Sequence, residues 1–214
     1  MTTAEKILRA KADIDAVYEA GKAQGGGGDN YYDTFWDIYQ INGKKVNYNF
    51  AFAGESWNAD IFKPKYPFSG MTYANNMFAG AHRLIEIPYT VDLTNLAGVA
   101  SQVFDGSTVL KKIKEVVVDE DNTFSYCFRN CNALEEIQFS GTIGQSGLSF
   151  QWCTKLSAES LLNIVEHLSN TATGKTITFP KTAEANYNSA PPENAPQTWA
   201  ALLATKPNWS IAYA

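Results

Sequence analysis

Cys127-Phe128-Arg129-Asn130-Cys131-Asn132-Ala133-Leu134-Glu135-Glu136-Ile137 is the clearest of four copies of one pattern. Each copy has a phenylalanine, a small residue three positions on and a leucine six positions on. Outward from this stretch the others are Phe78, Ala81 and Leu84; Phe104, Ser107 and Leu110; and Phe150, Cys153 and Leu156. The first three add an isoleucine three residues after the leucine: Ile87, Ile113 and Ile137. One copy is too small to bury its own apolar face, so successive copies must stack to share a core. The leucine and isoleucine, flanked by polar residues, suit a short strand in a parallel sheet. The phenylalanine fills the layer behind that sheet, and the small residue lets one turn approach the next closely.

The phenylalanines are 26, 24 and 22 residues apart, within the roughly 20–29-residue period of leucine-rich repeats. In its detail the pattern resembles the BspA-like leucine-rich repeat, whose unit has phenylalanine, cysteine, leucine and isoleucine at these offsets. The resemblance runs over roughly residues 68–180. The copies depart from it where Ala81 and Ser107 replace the cysteine and where Glu159 stands in place of the fourth isoleucine. It implies a non-catalytic interaction module that binds a protein or a surface glycan. The expected fold is α/β: a short leucine-rich-repeat solenoid of about four degenerate copies with parallel strands, carrying an N-terminal helix and helical and β caps.

The chain divides accordingly into an N-terminal helix (1–24), a glycine-rich linker (25–30), an N-terminal cap (31–67), the repeats (68–182) and a C-terminal cap (183–214). Thr3 can cap the first helix, and Ile7, Ile14, Val17 and Tyr18 form one stripe. That helix either packs back on the body or associates with other chains. Gly25 to Gly28 end it with a run of linker composition. Tyr32, Phe35, Trp36 and Tyr39 follow helical spacing up to Asn42-Gly43, and the segment to Pro67 is rich in aromatics. Those aromatics read as the seal that a first repeat requires; the alternative is a ring-binding groove for sugar. This N-terminal region also resembles phage- and prophage-encoded proteins of gut bacteria. That resemblance implies a second reading: a tail or appendage component oligomerised through residues 3–24.

After Leu156 the pattern changes. Ser157 can cap a helix whose apolar face is Leu161, Leu162, Ile164, Val165 and Leu168. Lys175 to Pro180 reads as a strand, residues 186–197 as an irregular connection, Thr198 to Thr205 as a short helix and Trp209 to Tyr213 as a last strand. This tail is expected to close the open edge of the repeat sheet, which left bare invites aggregation.

Within the repeats Glu86, Lys111-Lys112 and Glu135-Glu136 fall at matching offsets. Parallel neighbours about 4.8 Å apart would place lysine between two acidic residues. Such a ladder helps to fix the order of the copies. The exposed strand face is also where a partner would dock, which makes Glu86, Lys112, Lys114 and Glu136 the candidate binding residues.

Several classes of function find no support. A net charge of −5 with no basic cluster argues against a nucleic-acid partner. No apolar run approaches the length of a membrane span, and the N-terminus lacks the layout of a signal peptide. The chain is therefore expected to be cytoplasmic when made, with a virion or a cell surface as the destination the resemblances allow. The three cysteines, Cys127, Cys131 and Cys153, read as buried free thiols, because no histidine completes a metal set. Asp119-Glu120-Asp121-Asn122 lacks the spacing of a calcium loop and reads as a turn. His82 and His167 lie at ordinary structural positions, and no nucleophile–base pair or phosphate-binding loop is found. No enzyme activity, cofactor or metal is expected.

Overall fold

The computed structural model describes residues 71–214. The expected helix over 3–24, the glycine linker and the aromatic segment 31–67 lie outside the described residues. The rest is a mixed α/β arrangement of short parallel strands and few helices. In chain order it comprises β1 (Glu86–Asp92), β2 (Ala100–Ser101), β3 (Lys112–Val118), β4 (Phe124–Ser125), β5 (Glu136–Gly141), α1 (Ala158–Glu166), β6 (Lys175–Phe179), α2 (Ala183–Ser189), α3 (Trp199–Leu203) and β7 (Trp209–Tyr213). They form three parallel sheets, ordered β1-β3-β5, β2-β4 and β6-β7.

The phenylalanines of the pattern stack as a column of nearly parallel rings. Centroids are 5.3 Å apart from Phe78 to Phe104, 5.1 Å from Phe104 to Phe128 and 5.1 Å from Phe128 to Phe150. Phe179 of β6 continues the column at 6.1 Å, and Trp199 of α3 closes it edge-on at 5.1 Å. All of these side chains are buried. Main-chain bonds run alongside, with the Phe78 amide donating to the Val103 carbonyl at 2.7 Å and the Phe104 amide to the Cys127 carbonyl at 2.8 Å.

The small residue of the pattern does more than allow close approach. The Ser107 hydroxyl donates to the Phe78 carbonyl at 2.6 Å, the Cys131 thiol to the Phe104 carbonyl at 3.0 Å and the Cys153 thiol to the Phe128 carbonyl at 2.9 Å. Each copy from the second on thus gives a buried carbonyl of the copy before it a second donor, beside the backbone amide three residues on in its own turn. Serine and cysteine interchange here because both carry one short donor.

The strand half explains why the spacing falls from 26 to 22. Ile87, Ile113 and Ile137 are aligned, as are Val91, Val116 and Phe139. The step between the aligned residues is therefore four in β1, three in β3 and two in β5, the mismatch absorbed by a bulge at each pairing. The connection after the strand shortens in parallel: Val91 to Ala100 is nine residues, whereas Val116 to its partner Phe124 is eight. From phenylalanine to isoleucine the distance is constant. At the end of β5, Gly141 has φ +87°, and a Cβ there would lie 1.8 Å from the Val118 carbonyl oxygen. Only glycine fits.

In the fourth copy the strand gives way to α1. Ser157 accepts from the Ser160 amide as the N-cap, Glu159 lies in the first turn, and Leu161, Ile164 and Val165 are buried. Of the tail expected to close the open edge of the repeat sheet, the last strand β7 pairs with β6, and the helix α1 is the part that reaches that edge. The open edge of β5 is met by side chains of α1. The Ile137 amide donates to Ser160 Oγ at 3.0 Å, and the Phe139 amide to Asn163 Oδ1 at 2.6 Å. Ser160 Oγ in turn donates to the Glu135 carbonyl at 3.1 Å. Two side chains at helical spacing can do what a strand would, because i and i+3 share one face.

The stretch expected to be irregular after residue 186 begins inside α2. Asn186 Nδ2 donates to the Thr154 and Leu156 carbonyls, each at 3.0 Å, tying that helix to the fourth copy. Lys206, only 8% exposed, donates to the Glu166 and Leu168 carbonyls and to Asn170 Oδ1. Its ammonium thus sits at the C-terminal end of α1, where the helix dipole favours a cation.

Candidate functional site

The predicted binding residues are brought together on one face. Glu86, Lys112 and Glu136 are register neighbours across β1, β3 and β5. Lys112 Nζ lies 2.5 Å from Glu136 Oε2, with both side chains largely exposed. The hydrogen bond and charge of Glu136, with a smaller contribution from Glu86, hold the Lys112 pKa above its ordinary value. The ladder is therefore largely self-neutralised. Lys114 is exposed on the same strand. Beside them runs an open groove of about 530 Å³, where Lys112, Lys114, Glu136 and Gln138 face Ser157 and Glu159 at the start of α1. Glu86 lies one strand away. Both signs of charge line this groove.

A second groove, of about 510 Å³, opens on the turn side. Tyr126, Ser125, Ser146, Gln151, Thr178 and Tyr213 contribute to it, and no charged side chain lines it. Tyr126 and Tyr213 are 49% and 46% exposed. Arg129 stands over the Tyr126 ring, with Cζ 4.6 Å from the centroid. The guanidinium is held by a two-point bond to Asp105, Nη2 to Oδ2 at 2.6 Å and Nε to Oδ1 at 3.0 Å. Burial pushes the Asp105 carboxyl up, but hydrogen bonds from Arg129, Gln102 and Asn130 and the charge of Arg129 outweigh it and leave the pKa lowered. The Tyr213 hydroxyl accepts from Trp199 Nε1 at 2.9 Å, which anchors the other ring.

Sequence reading missed this aromatic side, although a signal was present. The residues two before the first three phenylalanines and two after all four adopt left-handed backbone. They are Asn76, Gln102 and Tyr126 before it, and Gly80, Gly106, Asn130 and Trp152 after it. Glycine and asparagine are at home there; tyrosine and tryptophan are not. Trp152, at φ +68° and 49% exposed, is the clearest departure.

The other candidates have structural partners. All three cysteines are buried and unpaired by disulfides. Burial pushes the Cys127 thiol up to about 12 and raises Cys131 well above its ordinary value, so both remain protonated donors at neutral pH. Asp119 and Asn122 form the turn after β3, with Asn122 Nδ2 donating to the Leu93 carbonyl at 3.1 Å. Glu120 accepts from Ser169 at 2.6 Å and Thr171 at 3.0 Å, bonds that lower its pKa. His167 closes α1, its ring Nδ1 2.8 Å from the Asn163 carbonyl. Gln145, in the turn before Gly147, accepts from Lys175 Nζ at 2.7 Å. Among the described residues no group of three histidine, cysteine, aspartate or glutamate side chains is gathered to hold a metal ion. Among them, too, no helix is long and apolar enough to cross a membrane. Comparison of the chain with protein-family models, with curated proteins and with solved structures finds no match.

Proposed function

We propose that the chain is a short BspA-like leucine-rich-repeat solenoid acting as a non-catalytic interaction module, which docks a protein or surface glycan partner on its strand face. The observation that carries this reading is the open, two-signed groove along β3, β5 and the start of α1. A groove lined by Lys112, Lys114, Glu136 and Glu159 offers both signs of charge to the complementary surface of a larger partner. The test is to probe arrays of purified extracellular proteins and of glycans with the full chain and with K112E/K114E. Binding that weakens with salt and is lost in the double variant supports the proposal. Absence of binding on both arrays, or binding indifferent to the substitutions, refutes it.

A second reading is favoured by the apolar stripe of residues 3–24 followed by Gly25 to Gly28. In it the protein is a phage or prophage appendage component that oligomerises through that stripe. Light scattering on the full chain and on a chain beginning at Asp29 decides. A trimer or larger assembly that becomes monomeric on truncation supports it, and a monomer in both removes it.

A further inference from the structure

We propose that the turn-side groove between Tyr126 and Tyr213 is a binding site for a neutral oligosaccharide. It is separate from the strand-face groove and does not depend on the reading given to that face.

Three observations carry this. The first is chemical: the lining pairs two half-exposed phenol rings with hydroxyls and a carboxamide, and contains no charged side chain. The apolar C–H face of a pyranose can lie on a tyrosine ring, while its hydroxyls need partners that both donate and accept. Serine, threonine and glutamine side chains do both. Among the described residues the Ser125 and Thr178 hydroxyls and the Gln151 carboxamide make no side-chain hydrogen bond within the chain, so they can turn toward a ligand. An anionic ligand would find no cationic side chain on these walls.

The second is preorganisation. Tyr126 sits at φ +52°, a conformation that a bulky residue adopts only when its surroundings impose it. Its ring is then positioned by Arg129, itself fixed by Asp105. Two residues from two successive copies, Arg129 and Asp105, hold one exposed ring that contributes nothing to the core. A fixed platform loses little freedom when a ligand arrives, which raises affinity.

The third is shape. At about 510 Å³ the groove lies within the range of roughly 300–1,000 Å³ usual for small-ligand sites, yet it is open. An open site can accept an internal segment of a longer glycan as well as its end.

The experiment uses the full chain in calorimetric titration against maltohexaose, cellohexaose, mannohexaose and chitohexaose, with polygalacturonate as a charged control. Saturable binding of at least one neutral hexamer is expected, without binding of polygalacturonate. Y126A should weaken it by about tenfold, in line with the loss of one ring stack. Q151A, which leaves the strained turn intact, should weaken it measurably at unchanged melting temperature. K112E/K114E should leave it unaltered, which separates this site from the strand face. No saturable binding to any of the four hexamers overturns the proposal. Binding that Y126A and Q151A leave intact overturns it as well, as does capture of polygalacturonate alone.

Discussion

The half of each copy that holds the phenylalanine passes through the molecule unchanged, whereas the half that carries the strand shrinks and then disappears. Phe78, Phe104, Phe128 and Phe150 stack at almost constant spacing. The aligned strand segments meanwhile shorten by one residue per copy, and in the fourth copy a helix stands in their place. The phenylalanine half is constrained on every side: a ring above, a ring below and a carbonyl awaiting its donor. The strand half asks only that edge amides find acceptors and that one apolar row face inward. A bulged strand or a helix with Ser160 and Asn163 on one face meets that requirement equally well. The comparison teaches that conserved spacing within a repeat marks close packing, and drifting spacing marks a looser requirement.

Removing a ring should therefore have the largest effect. Phe104→Ala, in the middle of the column and fully buried, should destabilise by about 3–5 kcal/mol, read from the urea midpoint. A loss below about 1 kcal/mol would break the comparison. Gly141→Ala comes next and probes a point where the strand half is tightly constrained. Its new Cβ meets the Val118 carbonyl and its φ is +87°, so a loss of at least about 1–3 kcal/mol is expected. Asn163→Ala removes the acceptor of the Phe139 amide. About 1–3 kcal/mol should go, and amide exchange at Phe139 should quicken selectively. Unchanged exchange there would show that α1 covers the edge without pairing to it.

The cysteine position yields a finer contrast. Cys153→Ala removes the thiol donor to the Phe128 carbonyl, leaving that carbonyl only the longer 3.4 Å bond from the Cys131 amide, and should cost about 0.5–1.5 kcal/mol. Cys153→Ser should stay within about 1 kcal/mol, because Ser107 already makes the equivalent bond. Equal losses in the two variants would mean that the thiol matters for its volume and not for its hydrogen bond.

The smallest effect is expected from the carboxylates that bridge different copies. Asp105, Glu115 and Glu120 are held below their ordinary values of 3.8, 4.5 and 4.5. A lowered folded pKa means that the unfolded chain binds protons first as pH falls. Stability should be level above about pH 5 and decline through the ordinary carboxylate range and below. Asp105→Asn should shallow that decline in acid-denaturation curves, and an unchanged slope would show that the Arg129 bridge adds nothing.

Much of this architecture was legible from spacing alone. The offsets of phenylalanine, small residue, leucine and isoleucine identified the buried rows, because a period maintained over four copies is hard to explain except by stacking. Ser157 and the stripe Leu161, Ile164 and Val165 disclosed α1, since capping and helical periodicity are local properties. Glu86, Lys112 and Glu136 could be placed side by side because parallel register follows from equal offsets. What spacing could not disclose depends on residues that meet only after the chain has folded. The donor role of Cys131 and Cys153 needs the carbonyl of a phenylalanine in the copy before. The pairing of β7 with β6, and of α1 with β5, was decided by which edge each element reached. The turn-side groove assembles Tyr126, Gln151, Thr178 and Tyr213 from four stretches far apart in the chain. The sequence by itself determined the buried rows and the local elements, because these arise from periodicity within each segment; the tertiary structure alone decided edges and grooves, because those are contacts between segments whose order in space no local pattern encodes.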